Sequence, residues 1–145
     1  MSPWLGLLLL LPAATAPSVA PLPTPQQNFV LRCQGCHGAD ARGIAGRVPA
    51  LADTIGPLMR VASGRDFLLR VPGAANSALS DAALADVVNW LVERYASQLS
   101  SDETRVFTAA DVASARGRPL TNLRVIRQQI AVELAARGIV LADAY

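Results

Sequence analysis

The sequence has few of the residues that build metal clusters and disulfide frameworks. Its 145 residues contain two cysteines and one histidine, and all thirteen basic side chains are arginine, so lysine is absent. Within one chain, this excludes a structural zinc site built from four cysteines or from two cysteines and two histidines. It also excludes a framework of several disulfides. The net charge of +2 is too small to indicate a general nucleic-acid-binding protein.

Charge is missing from the start of the chain, where Arg32 is the first charged side chain. Residues 4–11 form an unbroken apolar run that small residues follow, as in a secretory signal peptide. The run is too short to span a bilayer, which takes about 20 apolar residues. We therefore predict a signal peptide over residues 1–20 and export to the periplasm.

The flanks of this segment leave one alternative open. No Lys or Arg precedes the apolar run, and Pro17 and Pro21 directly follow the two plausible cleavage points, Ala16 and Ala20. An uncleaved N-terminal tether, which would be the chain's only attachment to a membrane, is the alternative to a cleaved signal. Residues 21–25 then read as a proline-rich leader.

The rest of the chain is long enough for one domain and is predicted to be all α. Asn28 is a plausible N-cap for a first helix, and residues 38–49 are rich in glycine and predict a loop. Residues 65–71 fit either a short helix or a strand. The clearest helix covers residues 80–95, with Ser80 as its N-cap.

A polar stretch after Ser97 marks a boundary, beyond which two more helices are predicted. Thr108 and Asp111 resemble a capping box at the start of the first, which Gly117 and Pro119 end. The second covers residues 121–137. Its apolar stripe consists of Leu123, Ile126, Ile130 and Leu134. These helices either cap the preceding domain or present this stripe to a partner.

One motif carries chemistry: Cys33-Gln-Gly-Cys36-His37, which is the C-x-x-C-H pattern of haem attachment. Two thiols at this spacing can add to the two vinyl groups of one porphyrin edge. The histidine that follows is then held beneath the ring, where its imidazole becomes an axial ligand of the iron. A thioredoxin-like redox pair would need a βαβ setting, and nothing strand-like precedes Cys33. Half of a zinc site would lack its other half.

Aromatic residues are also scarce, since only six follow the predicted signal peptide. A domain of about 70 residues is marginal on its own side chains. A covalently attached porphyrin would supply a large rigid apolar centre for the helices. We therefore expect one haem c per chain and a poorly folded apoprotein.

Residues 26–96 resemble a class I c-type cytochrome domain. The resemblance starts at Asn28, runs through the C-x-x-C-H motif and the loop to Pro49, and continues over residues 79–91. It implies a helical fold around one haem, with Cys33 and Cys36 as thioether residues and His37 as the proximal ligand. It also implies that a backbone carbonyl in the Pro49 loop orients the histidine. Residues 97–145 are then extra C-terminal helices.

The resemblance further implies that the helix over residues 80–95 crosses the first helix, which would place Trp90 near Phe29.

The chain departs from this family at the sixth iron ligand. The family usually takes a methionine from the stretch before the last helix, but residues 71–78 contain neither methionine nor histidine. Met59 is the only methionine after the predicted signal peptide, and it lies earlier. The sixth ligand is therefore Met59, a weak donor such as Asn76, a water molecule, or nothing. The bland interpretation of Met59 is a core gap-filler.

Charge distribution gives a weaker indication. Residues 32–70 contain six arginines and three aspartates, which is a local excess of +3. Such a surface near a haem edge would steer an acidic redox partner, although an ordinary solvated face explains it equally well.

These features predict an electron-transfer protein rather than an enzyme. The first hypothesis is a periplasmic monohaem cytochrome c that serves a dehydrogenase or a respiratory complex, with no role in nucleic-acid binding. The second is a haem protein that binds or senses a ligand at an open sixth position. The third is a cytochrome subunit that its C-terminal extension holds permanently on an enzyme.

Overall fold

A computed structural model describes residues 21–142, and within them the chain forms eight helices. They are α1 (Pro25–Arg32), α2 (Gln34–His37), α3 (Leu51–Met59), α4 (Ala62–Arg70), α5 (Pro72–Ala75), α6 (Asp81–Tyr95), α7 (Ala109–Arg116) and α8 (Leu123–Ala135). Between residues 21 and 142 the only β-type pairing is an isolated bridge, Ile44 with Val48. The all-α prediction is confirmed. The predicted signal peptide lies outside the described residues.

No helix in the described part of the chain combines the length and the apolar character that crossing a membrane requires.

The first helix begins three residues before the predicted cap. Thr24 is the N-cap: its hydroxyl accepts from the Gln27 backbone N–H, and the Gln27 side chain accepts from the Thr24 backbone N–H. Pro25 follows at the first helical position, where its fixed φ suits a helix. The prediction that Asn28 caps this helix is wrong, because the reciprocal cap at Thr24 already starts it. Asn28 is instead buried within α1.

The later helix starts follow the sequence more closely. The Ser80 hydroxyl accepts from the Ala83 backbone N–H, and Thr108 forms the reciprocal cap with Asp111, so both predictions are confirmed. The ambiguous segment 65–71 is helical up to Arg70. The last helix is shorter than predicted at both ends, since Asn122 caps it and it ends at Ala135.

Helices α1, α3 and α4 pack around α6, which forms the centre of the core. The rings of Phe29 on α1 and Trp90 on α6 lie 5.4 Å apart between centroids, tilted by 47°. This confirms the expected crossing of the first helix with the helix over residues 80–95.

The C-terminal extension packs against the same core. Helix α7 lies on α4 and α6, and α8 lies on α4. Ile130 and Leu134 of the predicted apolar stripe are buried, and Leu123 and Ile126 pack half-buried against the core. The stripe therefore faces the rest of the chain rather than solvent.

A backbone clamp adds to this docking. The Asn89 side chain on α6 donates to the carbonyl oxygen of Phe107 at 2.9 Å and accepts from its N–H at 2.8 Å. The Phe107 ring is itself buried. An amide that satisfies both backbone groups of one residue fixes the entry into α7 against α6.

Candidate functional site

The two cysteines and the histidine are held together by a single short helical turn. Helix α2 begins directly after Cys33, and the N–H groups of Cys36 and His37 both donate to the Cys33 carbonyl, at 3.2 and 3.0 Å. Cys33 is half-buried and Cys36 is exposed, and neither forms a disulfide. The element before Cys33 is helix α1, whereas a thioredoxin-like pair would follow a strand. The turn therefore presents two free thiols and an imidazole at one place.

His37 is oriented by the loop that follows it. Its Nδ1 lies 3.1 Å from the carbonyl oxygen of Pro49, and because a carbonyl can only accept, Nδ1 carries the proton and donates. Nε2 is then the unprotonated nitrogen, with its lone pair available to a metal. Burial lowers the pKa of His37 below its ordinary value, although the bond to Pro49 acts in the opposite direction. The ring is therefore held in the neutral form that ligates iron.

A glycine allows this loop to close tightly. Gly43 has a φ of +67°, and a Cβ at this position would collide with the carbonyl oxygen of Val48. Its N–H also donates to the His37 carbonyl at 2.7 Å. The glycine thus brings the backbone before Pro49 close to the end of α2, where the Pro49 carbonyl reaches the imidazole.

The thiols and the imidazole open onto a cavity of about 370 Å³. Its lining is mainly apolar and comes from α3, α4, α5, α6 and α8. The apolar side chains are Val48, Pro49, Leu51, Ile55, Leu58, Phe67, Leu68, Val71, Pro72, Ala74, Leu84, Val87, Val88, Leu91 and Leu123. Three arginines, Arg32, Arg47 and Arg127, add positive charge.

These residues fit a haem. Cys33 and Cys36 stand where a porphyrin edge can be bonded, and His37 offers a free Nε2 whose orientation is fixed from behind. The apolar lining suits the face of the ring, and guanidinium groups suit its carboxylates.

The structure places Met59 away from this site. Its side chain is buried, with 2% exposed, and is absent from the cavity lining. The sulfur instead lies 3.6 Å from Nη1 of Arg65. Asn76 follows the last residue of α5, half-buried, and does not line the cavity either. The cavity thus gathers three of the predicted site residues and neither of the two considered as sixth ligands.

Sequence reasoning missed Leu123 and Arg127, which carry α8 into the cavity lining. They are four residues apart, and so lie on one face of the helix. Arg127 is buried, with 8% exposed, and its Nη2 donates to the carbonyl oxygen of Ala142 at 2.7 Å. The available signal was a charged residue next to Ile126 in an otherwise apolar stripe.

No protein-family model matches the chain. The chain is 25% identical over 116 residues to cytochrome c-552 of Thermus thermophilus, which covers 68% of this chain and 88% of that protein. A second cytochrome c-552, from a further strain of Thermus thermophilus, is also 25% identical over 116 residues, with 78% of its length covered. This similarity, added to the site geometry, supports a c-type cytochrome.

Proposed function

We propose that the protein is a monohaem c-type cytochrome of the class I type that carries single electrons in the periplasm. The observation that carries the proposal is the joint position of Cys33, Cys36 and His37 at one apolar cavity, with the Nδ1 of His37 bonded to Pro49. In this function the protein makes and breaks no substrate bonds and is not an enzyme.

Each site residue has a separate role. Cys33 and Cys36 form the thioether links, and His37 holds the iron through Nε2. Haem c, when bound, supplies reversible one-electron chemistry at its iron. The apolar lining keeps water away from the ring, which limits the reorganisation of solvent when the charge changes. The bond from Nδ1 to Pro49 raises the basicity of the ligating imidazole.

The proposed partners are redox proteins of the periplasm, namely a dehydrogenase or a respiratory complex. Arg32 and Arg47 are exposed at the cavity close to the exposed Cys36, so the accessible edge of a haem would carry positive charge. Such a surface favours encounter with an acidic partner surface and makes the association rate depend on ionic strength.

Covalent attachment is the direct test. The chain is expressed with the cytochrome c maturation machinery and run on a denaturing gel that is stained for haem. We expect the wild-type chain and the Gln34→Ala control to keep their haem, and Cys33→Ala/Cys36→Ala to lose it. Release of all haem from the wild-type chain by acid-acetone would overturn the proposal.

Export is tested on the same preparation. Cell fractionation should place the holoprotein in the periplasm, and sequencing should find a mature N-terminus between Pro17 and Gln27. An intact Met1 on a membrane-bound form would replace the cleaved signal with an N-terminal tether.

A second function, binding of a small ligand at the iron, is favoured by one observation: the described cavity lining contains no second strong iron ligand. The third hypothesis, a permanently bound enzyme subunit, finds less support. The apolar stripe that would have met the enzyme packs within the chain instead.

A further inference from the structure

The side chains around the cavity limit what can bind the iron besides His37. Apart from the two cysteines, which thioether formation uses, five lining residues have nitrogen or oxygen in their side chains: Arg32, Arg47, Thr54, Ser77 and Arg127. Guanidinium groups stay protonated and offer no lone pair to a metal. Only the two hydroxyl groups therefore remain as protein donors among the described lining residues.

Both hydroxyl groups have other partners. The Thr54 hydroxyl donates to the carbonyl oxygen of Ala50 at 2.8 Å, which is the preceding turn of its own helix. The Ser77 hydroxyl accepts from Nη2 of Arg116 at 3.3 Å. A neutral hydroxyl is a weak ligand for iron, and these two would have to give up a hydrogen bond to act as one.

Met59 is held away from the cavity by its own neighbours. Its sulfur is in contact with Arg65, and the same guanidinium donates to the carbonyl oxygen of Arg105 at 2.6 Å and lies 4.6 Å from the Phe107 ring centre. A rotation of Met59 towards the cavity would leave a gap in a closely packed region. Met59 therefore belongs to the packing between α3, α4 and the C-terminal extension.

Helix α8 occupies part of the space around the haem cavity. Leu123 lines the cavity and is half-buried, so it stands at the rim between the cavity and solvent. Val71 and Ala74, from the end of α4 and from α5, also line the cavity and are apolar. A small uncharged molecule would meet little polar competition there.

We infer that the iron position opposite His37 is an exogenous ligand site for a small uncharged diatomic such as carbon monoxide or nitric oxide, entered beside Leu123. The inference rests on the proposed haem attachment. On binding carbon monoxide, the carbon lone pair forms a coordinate bond to ferrous iron, and any water held there leaves. No electron is transferred and no proton is released. The site makes α8 a determinant of ligand access.

The test uses the full holoprotein with covalent haem, reduced with dithionite and titrated with carbon monoxide. We expect one carbon monoxide per haem in the wild-type protein. Met59→Leu, which conserves volume, should bind it with an affinity within about twofold. Leu123→Trp, which narrows the rim, should slow association by about tenfold or more. Val125→Trp, on the exposed face of the same helix, should stay within about twofold of the wild-type rate.

Three results would overturn the inference. Ferrous wild-type protein that binds no carbon monoxide at saturation has a protein ligand in the sixth position. Carbon monoxide binding that appears only in Met59→Leu identifies Met59 as that ligand. Equal rates for Leu123→Trp and Val125→Trp place the entry elsewhere.

Two checks keep these results interpretable. If Leu123→Trp does not load haem, Leu123→Ala, which widens the rim, should bind faster than wild type, and an unchanged rate counts against the site. The haem-stained gel on the same sample separates failure of attachment from failure of the ligand site.

Discussion

Arg127 differs from the other arginines of the cavity because it is buried. Only 8% of it is exposed, whereas Arg32 and Arg47 are exposed, and the bond to the Ala142 carbonyl fixes the direction of its guanidinium. A cation close to a haem stabilises the ferrous state relative to the ferric state, because the ferric iron carries one more positive charge. Low polarity around such a cation strengthens the effect. Arg127 is therefore expected to influence the reduction potential.

Replacing Arg127 by glutamine should lower the midpoint potential of the haem by tens of millivolts, on the order of 1 kcal/mol for a one-electron couple. Arg124→Gln is the matched control, since it removes the same charge from the exposed side of the same helix. Spectroelectrochemical titration of both variants checks this. A shift of equal size in Arg124→Gln, or a rise in Arg127→Gln, would show that Arg127 does not act on the iron.

At this scale the predictability of a residue depends on how local its chemistry is. Cys33, Cys36 and His37 could be predicted because the haem motif lies within five consecutive residues. Leu123 and Arg127 could not, because they reach the cavity only when α8 packs on α4. For Met59 the sequence left two roles open, since the position of its sulfur depends on neighbours that the fold brings to it from elsewhere in the chain.

Between elements, Asp66 links α4 to the turn after α7. It accepts a hydrogen bond from Arg70 on its own helix and one from Arg118, both at 2.6 Å. Burial raises the pKa of Asp66, but these hydrogen bonds outweigh burial, so the pKa lies below its ordinary value. The pair with Arg118 thus ties the extension to α4 as long as the carboxylate is ionised.

The sign of the pH dependence follows from this lowered pKa. A carboxylate with a lower pKa in the folded protein contributes stability above the unfolded value, which is about 3.9, and loses it as pH falls through the folded pKa. Asp66→Asn should therefore lower the free energy of unfolding at pH 7 by about 1 kcal/mol, a modest amount because 34% of the side chain is exposed to screening.

Urea unfolding of the holoproteins across pH 7 to 3 measures this difference. The gap between wild type and Asp66→Asn should narrow once pH drops below about 4, while Asp86→Asn, on the exposed surface of α6, should match wild type throughout. A gap that stays constant down to pH 3 would mean that the Asp66 charge is not what stabilises the contact.

The helix starts show how far elements could be predicted. Ser80 and Thr108 stand alone as cap candidates, and both cap the helices that follow them. Near the first helix two candidates compete, and Thr24 wins over Asn28 because it has a reciprocal partner in Gln27 and a proline at the first helical position. The capping residue alone did not settle the boundary; its partner three residues later did.

For the molecule as a whole, the polar stretch after Ser97 does not separate two cores. Buried side chains from both sides of it belong to one hydrophobic cluster, including Leu91 before it and Phe107, Val112 and Leu134 after it. The sequence showed the polar break but not the packing across it, because the contacts join helices that lie far apart along the chain. The extension is thus part of the structure that encloses the cavity.

Without haem this enclosure would surround an empty apolar cavity. At roughly 24 cal/mol per Å³, a cavity of about 370 Å³ costs on the order of 9 kcal/mol, if the walls do not collapse. That is comparable to the whole stability of a typical domain, which is about 5–15 kcal/mol. The apoprotein is therefore expected to lack fixed tertiary packing, even though its helices have good caps and apolar faces.

The Cys33→Ala/Cys36→Ala chain, prepared without haem, tests this expectation. It should keep helical far-ultraviolet dichroism but lose the near-ultraviolet signal, bind a hydrophobic dye and unfold without a sharp transition. Addition of free haem, which His37 can still ligate, should restore a cooperative transition, because filling the cavity recovers the lost contacts. His37→Ala in the same background is the control that should respond less to added haem. A sharp, cooperative transition in the haem-free chain would show that its side chains close the core unaided.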